Sequence, residues 1–207
     1  MQSLFDPEGI LSRAMEKISD LIFLNVTFVI VSLPLITIGA ALTALYDCTF
    51  DMLDDKEEAW IHKQFLKSFR RHFKSSTGAW LITLAVILFF AAYTRGIGLL
   101  TGNQIRMYQI IEKSLIILFS LVLPYVFLLL ARTEQTALSA WKEAVRMVIL
   151  TFPWAIINLV LLAGLTAIFT ILLPGGVSIY LWGFFFFALL IFFSSMLLKR
   201  ALKNHVE

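Results

Sequence analysis

Residues Asp20–Tyr46 read DLIFLNVTFVIVSLPLITIGAALTALY, with no charged residue after Asp20. A helix needs about 20 apolar residues to cross ~30 Å of hydrocarbon, so this run has length to spare. Four more runs meet the same test: Gly78–Thr94, Ser114–Ala131, Leu150–Leu173 and Val177–Leu198. Lipid offers no partner to an unpaired backbone group, so each must be a helix. The expected fold is all-α, a polytopic membrane bundle of about five transmembrane helices with short interfacial amphipathic helices. It forms a single domain over 1–207, with an interfacial helix at 1–19 and cytoplasmic segments at 47–77 and 132–149.

Composition agrees. Of 207 residues, 59% are hydrophobic and 15% charged, against roughly half and a quarter in soluble domains. The net charge of +3 suits basic loops beside anionic headgroups; nucleic acid is not an expected partner. The single Cys48 permits no internal disulfide. No cleavable signal peptide is expected, because Asp6, Glu8 and Glu16 share the N-terminus with Arg13 and Lys17 and the first apolar run is too long.

Lysines and arginines between the runs predict orientation. One side would hold 12 of the 17, in the segments after runs one and three and in the tail; the other holds Arg13, Lys17, Arg95, Arg106 and Lys113. That places the N-terminus outside and the C-terminus in the cytoplasm. Trp and Tyr favour headgroup depth, with Tyr46, Trp80 and Trp154 at inner ends and Tyr93, Tyr180 and Trp182 at outer ends.

Three connecting segments carry helical signals. Asp6-Pro7-Glu8 reads as a helix start. Phe65, Phe69 and Phe73 recur every four residues among Lys67, Arg70, Arg71 and Lys74, predicting a basic amphipathic helix along the membrane surface. Trp141–Arg146 is the third.

Chemistry finds little footing. No carboxylate lies inside runs two to five and every His lies outside the runs, so no catalytic residues, cofactor or bound metal are expected and the chain reads as a non-enzyme. Asp47, Asp51, Asp55, Glu58 and His62 share one helical face; this could be a divalent-metal ladder or a solvated face turned to nearby basic residues. An Asp20–Arg95 ion pair is allowed, against both charges sitting in the headgroup zone. Ser120, one turn before Pro124, could bond the backbone that proline frees. Asp20, Asn25, Ser32, Pro34, Thr37, Gly39 and Thr43 make run one costlier than an anchor needs. Pro34 and Gly39 predict a bend, with Asn25 and Thr37 contacting neighbouring helices or a partner subunit.

The stretch Asp20–Tyr46, and with it Phe65–Ser75, resembles the signature of the YesL-like family, small bacterial membrane proteins classed as a domain of unknown function. Members tend to be encoded beside carbohydrate ABC importer genes. The resemblance implies a bacterial cytoplasmic-membrane protein accessory to sugar import, with importer permease subunits and the bilayer as partners. It carries over no catalytic residues. Two rivals stand beside it: an independent small-solute transporter or channel, and a membrane partner of a sensor kinase.

Overall fold

The computed structural model describes residues 10–56, 60–97, 105–172 and 186–206. Among the described residues seven α-helices run in order: α1 Ile10–Val31, α2 Ile38–Leu53, α3 Ile61–Ile97, α4 Ile105–Arg132, α5 Ala137–Leu150, α6 Phe152–Leu172 and α7 Phe187–Val206. No strand occurs among the described residues. Leu35–Leu53, Ile61–Gly96 and Ile105–Arg132 are long and apolar enough to cross a membrane, and α5 with α6 makes a fourth if that pair, bent by 102°, is one span. The expected count of five is not reached here; the run Val177–Leu198 lies partly outside the described residues, as do Asp6-Pro7-Glu8, Glu58, Tyr180 and Trp182.

The first apolar run is not one span. Its helix stops at Val31, because Pro34 offers no N–H and excludes the helical conformation before it. The Thr37 hydroxyl then donates to the carbonyls of Val31 (2.5 Å) and Pro34 (2.6 Å), satisfying acceptors that the break leaves open. After a 3₁₀ turn at Leu35–Thr37 the chain reverses as α2. The Lys17 ammonium reaches the Met52 carbonyl (3.0 Å) and the Asp55 carboxylate (2.8 Å), so α1 and α2 form an antiparallel hairpin. Asp55 closes α2 in the left-handed region (φ 51°), which Asp tolerates better than most residues.

The widest interface joins α2 to α3, again antiparallel, in steps of four residues. Asp51 accepts from Gln64 Nε2 (2.7 Å) and Asp47 from Ser68 Oγ (2.6 Å). A Cβ on Gly39 would lie 2.6 Å from the Ser76 carbonyl oxygen, and Leu35 accepts from Trp80 Nε1 (2.7 Å). His72 occupies the remaining step, opposite Thr43, whose hydroxyl donates instead to Gly39 within its own helix (3.0 Å). His72 Nε2 and Ser76 Oγ are consequently buried without a hydrogen-bond partner.

Three expectations change with this geometry. Residues 65–74 do not form a separate helix lying flat with its phenylalanines in lipid. They continue unbroken into the apolar part of α3, and Phe65 is fully buried in the protein core. The segment 1–19 is likewise not a separate helix where it is described, since α1 runs through it from Ile10. An Asp20–Arg95 pair is excluded: Asp20 lies one turn past Lys17, at the Asp55 end of the hairpin, whereas Arg95 closes a 37-residue helix that starts there and is about 55 Å long.

Hydroxyl pairs fix α7 beside α2. Tyr46 Oη and Ser194 Oγ are 3.2 Å apart, Thr49 Oγ1 and Ser195 Oγ 2.9 Å, and all four side chains are buried. Tyr46 is thus an interior strut, not a headgroup anchor. Asn25 of α1, fully buried, accepts from the Ala188 N–H (2.8 Å) and satisfies a donor that the first turn of α7 leaves open. Asn25→Leu should orphan that donor at a cost of about 1–3 kcal/mol. Thermal melting of the isolated protein in detergent checks this; an unchanged midpoint would remove Asn25 from the folding scaffold and return it to a partner interface. In α4, Ser120 does not compensate Pro124, since its hydroxyl donates backward to Ile116 (2.8 Å).

Candidate functional site

The strongest concentration of charge lies where α2 ends. Asp47, Asp51 and Asp54 are three and four residues apart and share one helical face. The Arg132 guanidinium, at the last turn of α4, reaches all three, at 3.3, 2.9 and 3.4 Å. One arginine serves three carboxylates because its planar fork presents several donors in fixed directions. The guanidinium carbon lies over the Phe50 ring, 5.3 Å from its centroid. Lys199 of α7 pairs with Asp54 and donates to the Leu53 carbonyl (2.8 Å), while Lys17 of α1 takes Asp55. Four helices therefore meet at one ionic knot.

Lys199 acts on Asp54 most strongly through its hydrogen bond, which with the surrounding positive charge holds the Asp54 carboxyl below its ordinary value against a smaller opposing effect of burial. A depressed folded-state value means that the stabilisation is present above the ordinary carboxylate value of about 3.9 and is lost as pH falls through the lowered one. Melting midpoints measured between about pH 5 and pH 2 should fall more steeply for the native chain than for Asp54→Asn; parallel curves would show the pair to be inert.

The sequence grouped Asp47, Asp51, Asp55, Glu58 and His62. The structure keeps Asp47 and Asp51 together, adds Asp54 and turns Asp55 toward α1. Among the described residues no three His, Cys, Asp or Glu side chains are placed to hold a metal ion. The acids face Arg132, Lys199 and Lys17, cations brought in from other helices rather than from the nearby basic segment. A small polar pocket of about 110 Å³ beside them is lined by Asp47, Asp51, Gln64, Lys67, Ser68 and Arg71. Arg132 entered the sequence reading only as a positive charge, and its interhelical role had no local signal. Gln64 and Ser68 could have been found, because they continue the four-residue spacing to His72 and Ser76 on the face opposite the lysines.

The conspicuous residues of the first run are packing devices here. Gly39 lets α2 touch α3, Pro34 and Thr37 build the reversal, and Asn25 caps α7. Ser32 Oγ is buried without a hydrogen-bond partner beside a lateral apolar groove that includes Phe28, Leu33 and Phe187. On α3 the basic residues Lys63, Lys67, Arg70, Arg71 and Lys74 are exposed; Lys67 and Arg71 flank the buried stripe that faces α2, and Arg70 and Lys74 lie opposite it.

Lys17 of the first helix and Lys199 of the last approach the same cluster. The opposite-sided termini expected from counting charges between runs do not fit a hairpin that returns Lys17 to Asp55 beside Lys199. Arg13 and Lys17 move to the populous side, and of 17 basic residues only Arg95, Arg106 and Lys113 remain toward the far end.

Comparison with known proteins identifies one part of this architecture. No curated protein matches the chain, and no solved structure does. Residues 21–93, which hold the hairpin, the α2–α3 seam and α3 through Tyr93, match the family described as "Protein of unknown function, DUF624".

Proposed function

We propose that this chain works by binding, as a non-enzymatic accessory factor or subunit associated with carbohydrate ABC import in a bacterial cytoplasmic membrane. The carbohydrate link rests on the YesL-like resemblance of Asp20–Tyr46 and Phe65–Ser75. The binding reading rests on the split character of α3. One face of its first third is spent on the seam with α2, and the other presents an exposed cationic surface. The buried hydroxyls of α2 and α7 are engaged with one another, so they line no solute path, which favours an accessory role over a transporter.

The last exposed cation of that face is Lys74, and the uncharged stretch Gly78–Thr94 follows. We place the hydrocarbon along this stretch, with the ionic knot and both termini in the cytoplasm, where basic residues concentrate. The α1–α2 hairpin then lies at the cytoplasmic surface and does not cross. Among the described residues the crossings are made by α3, α4 and α6, and Lys199 at the knot puts the end of α7 on the starting side. Alkaline phosphatase fused at Ile97 should be active, and fused at either terminus inactive; activity at either terminus would overturn the placement.

The functional reading is tested by purifying the tagged protein from its native membrane in mild detergent and identifying what accompanies it. Importer permease subunits should co-purify, and Arg70→Glu with Lys74→Glu should release them without lowering the melting midpoint. Absence of importer components from the native preparation would defeat the proposal.

A further inference from the structure

Helix α5 lies across the bundle. Its first residue touches Gly78 of α3, where an added Cβ would lie 3.2 Å from the Ala137 Cβ. The Thr151 hydroxyl, just past its last residue, pairs with Tyr125 Oη of α4 at 2.7 Å. Arg71–Glu134 (3.5 Å) and Thr94–Glu112 set α3 and α4 antiparallel, and in that register Tyr125 stands level with Trp80. Both ends of α5 therefore sit at nearly one height, that of Gly78–Trp80, and α6 departs from it at 102°. On the placement proposed above, this height is the cytoplasmic headgroup boundary.

The helix is built for that position. Trp141, Val145, Val148 and Ile149 share one face and, with Val86 and Phe90 of α3 and Phe119 and Val122 of α4, line a lateral groove of about 460 Å³. That volume is within the ~300–1,000 Å³ typical of ligand clefts. Trp141 is stacked on Phe119, with centroids 5.4 Å apart and planes at 21°, which makes one wall rigid. At 100° per residue, Lys142 and Arg146 fall about a quarter turn to one side of this face. Both are exposed, and among the described residues the only acid paired with Arg146 is Glu143, at a marginal 4.0 Å.

We propose that this groove is a binding site for one anionic phospholipid of the cytoplasmic leaflet, its acyl chain between α3, α4 and α5 and its phosphate beside Lys142 and Arg146. The chemistry singles out the head. A tail gains little by leaving bulk lipid, which is as apolar as the groove, so selectivity must come from charge. Two cations near the surface, each worth about fivefold, give a preference of about 30-fold for an anionic over a zwitterionic head.

Native mass spectrometry of the full chain in detergent tests this, with phosphatidylglycerol and phosphatidylcholine of identical tails as probes. The native chain should retain phosphatidylglycerol about 30-fold better. Lys142→Ala with Arg146→Ala should abolish the preference, Lys142→Arg with Arg146→Lys should keep it, and Ile149→Trp, which fills the groove, should weaken retention of both lipids. The readout does not depend on membrane sidedness, so it fails or succeeds independently of the phosphatase fusions. Salt adds a check on the native chain alone, since the preference should shrink as ionic strength rises. Equal retention of the two lipids by the native chain, or a preference unchanged by salt or by the double alanine variant, would overturn the site.

Discussion

Replacing Gly39 with alanine should cost this protein about 3 kcal/mol and lower its melting midpoint by roughly 6–12 °C. The new Cβ would sit 2.4 Å from the Trp80 Cβ and 2.6 Å from the Ser76 carbonyl oxygen. Neither is the free end of a flexible side chain. The Ser76 oxygen belongs to the backbone of an uninterrupted helix, and the Trp80 indole is tied to Leu35. Helix α2 must therefore move away from α3 as a body, stretching the Asp51–Gln64 and Asp47–Ser68 bonds along the same seam. Gly164→Ala is the matched control. Nothing lies within 4 Å of its added Cβ, and alanine is the better helix former by about 1 kcal/mol, so its midpoint should hold or rise. Equal midpoints for the two variants would show that α2 and α3 do not touch at Gly39.

The second large effect is expected at Arg132. Arg132→Met leaves Asp47, Asp51 and Asp54 facing one another, with side chains only 15%, 22% and 23% exposed. Removing one partner of a fully buried pair costs about 3–5 kcal/mol. Arg132 is 34% exposed and water screens part of the interaction, so about 2 kcal/mol is the expected loss. Adding Asp51→Asn to Arg132→Met should restore part of it by removing one of the like charges, a coupling that a double-mutant cycle measures. Arg132→Lys should recover less than half, because a point charge cannot bridge three acids as the guanidinium does. If the double variant is no more stable than Arg132→Met alone, the three carboxylates are not in electrostatic contact.

Helices and membrane character were legible because apolar run length and lipid's lack of hydrogen-bond partners leave one solution. The reversal at Pro34 was less legible. A proline inside an apolar run predicts a bend, but the angle depends on what the second arm packs against. Here Gly39 and the stripe Gln64, Ser68, His72, Ser76 supply that surface, and they lie 25 to 37 residues apart in sequence. The charge count shifts with it, since one unrecognised reversal moves Arg13 and Lys17 beside the knot. Among charged residues, Asp47 and Asp51 were visible by their spacing, whereas Arg132 and Lys199 join them only through tertiary packing. Asn25 was singled out for its burial cost, and the N–H it satisfies is more than 160 residues away.

The hairpin ends beside Trp80, and α3 continues for 17 residues beyond it, about 25 Å. Its tip exposes Leu33, Leu35 and Ile36 at 76%, 72% and 59% and carries no charge. With Gly78–Thr94 in the hydrocarbon, such a tip enters only the near leaflet, to a depth on the order of 5–10 Å. It displaces headgroups there and adds no area to the opposite leaflet. On the placement proposed above, the described helices then take up more area in the near leaflet than in the far one, the profile of a wedge. Its lowest-energy setting is a bilayer bowed toward the hairpin side, so local curvature becomes a variable that the membrane and this fold adjust together.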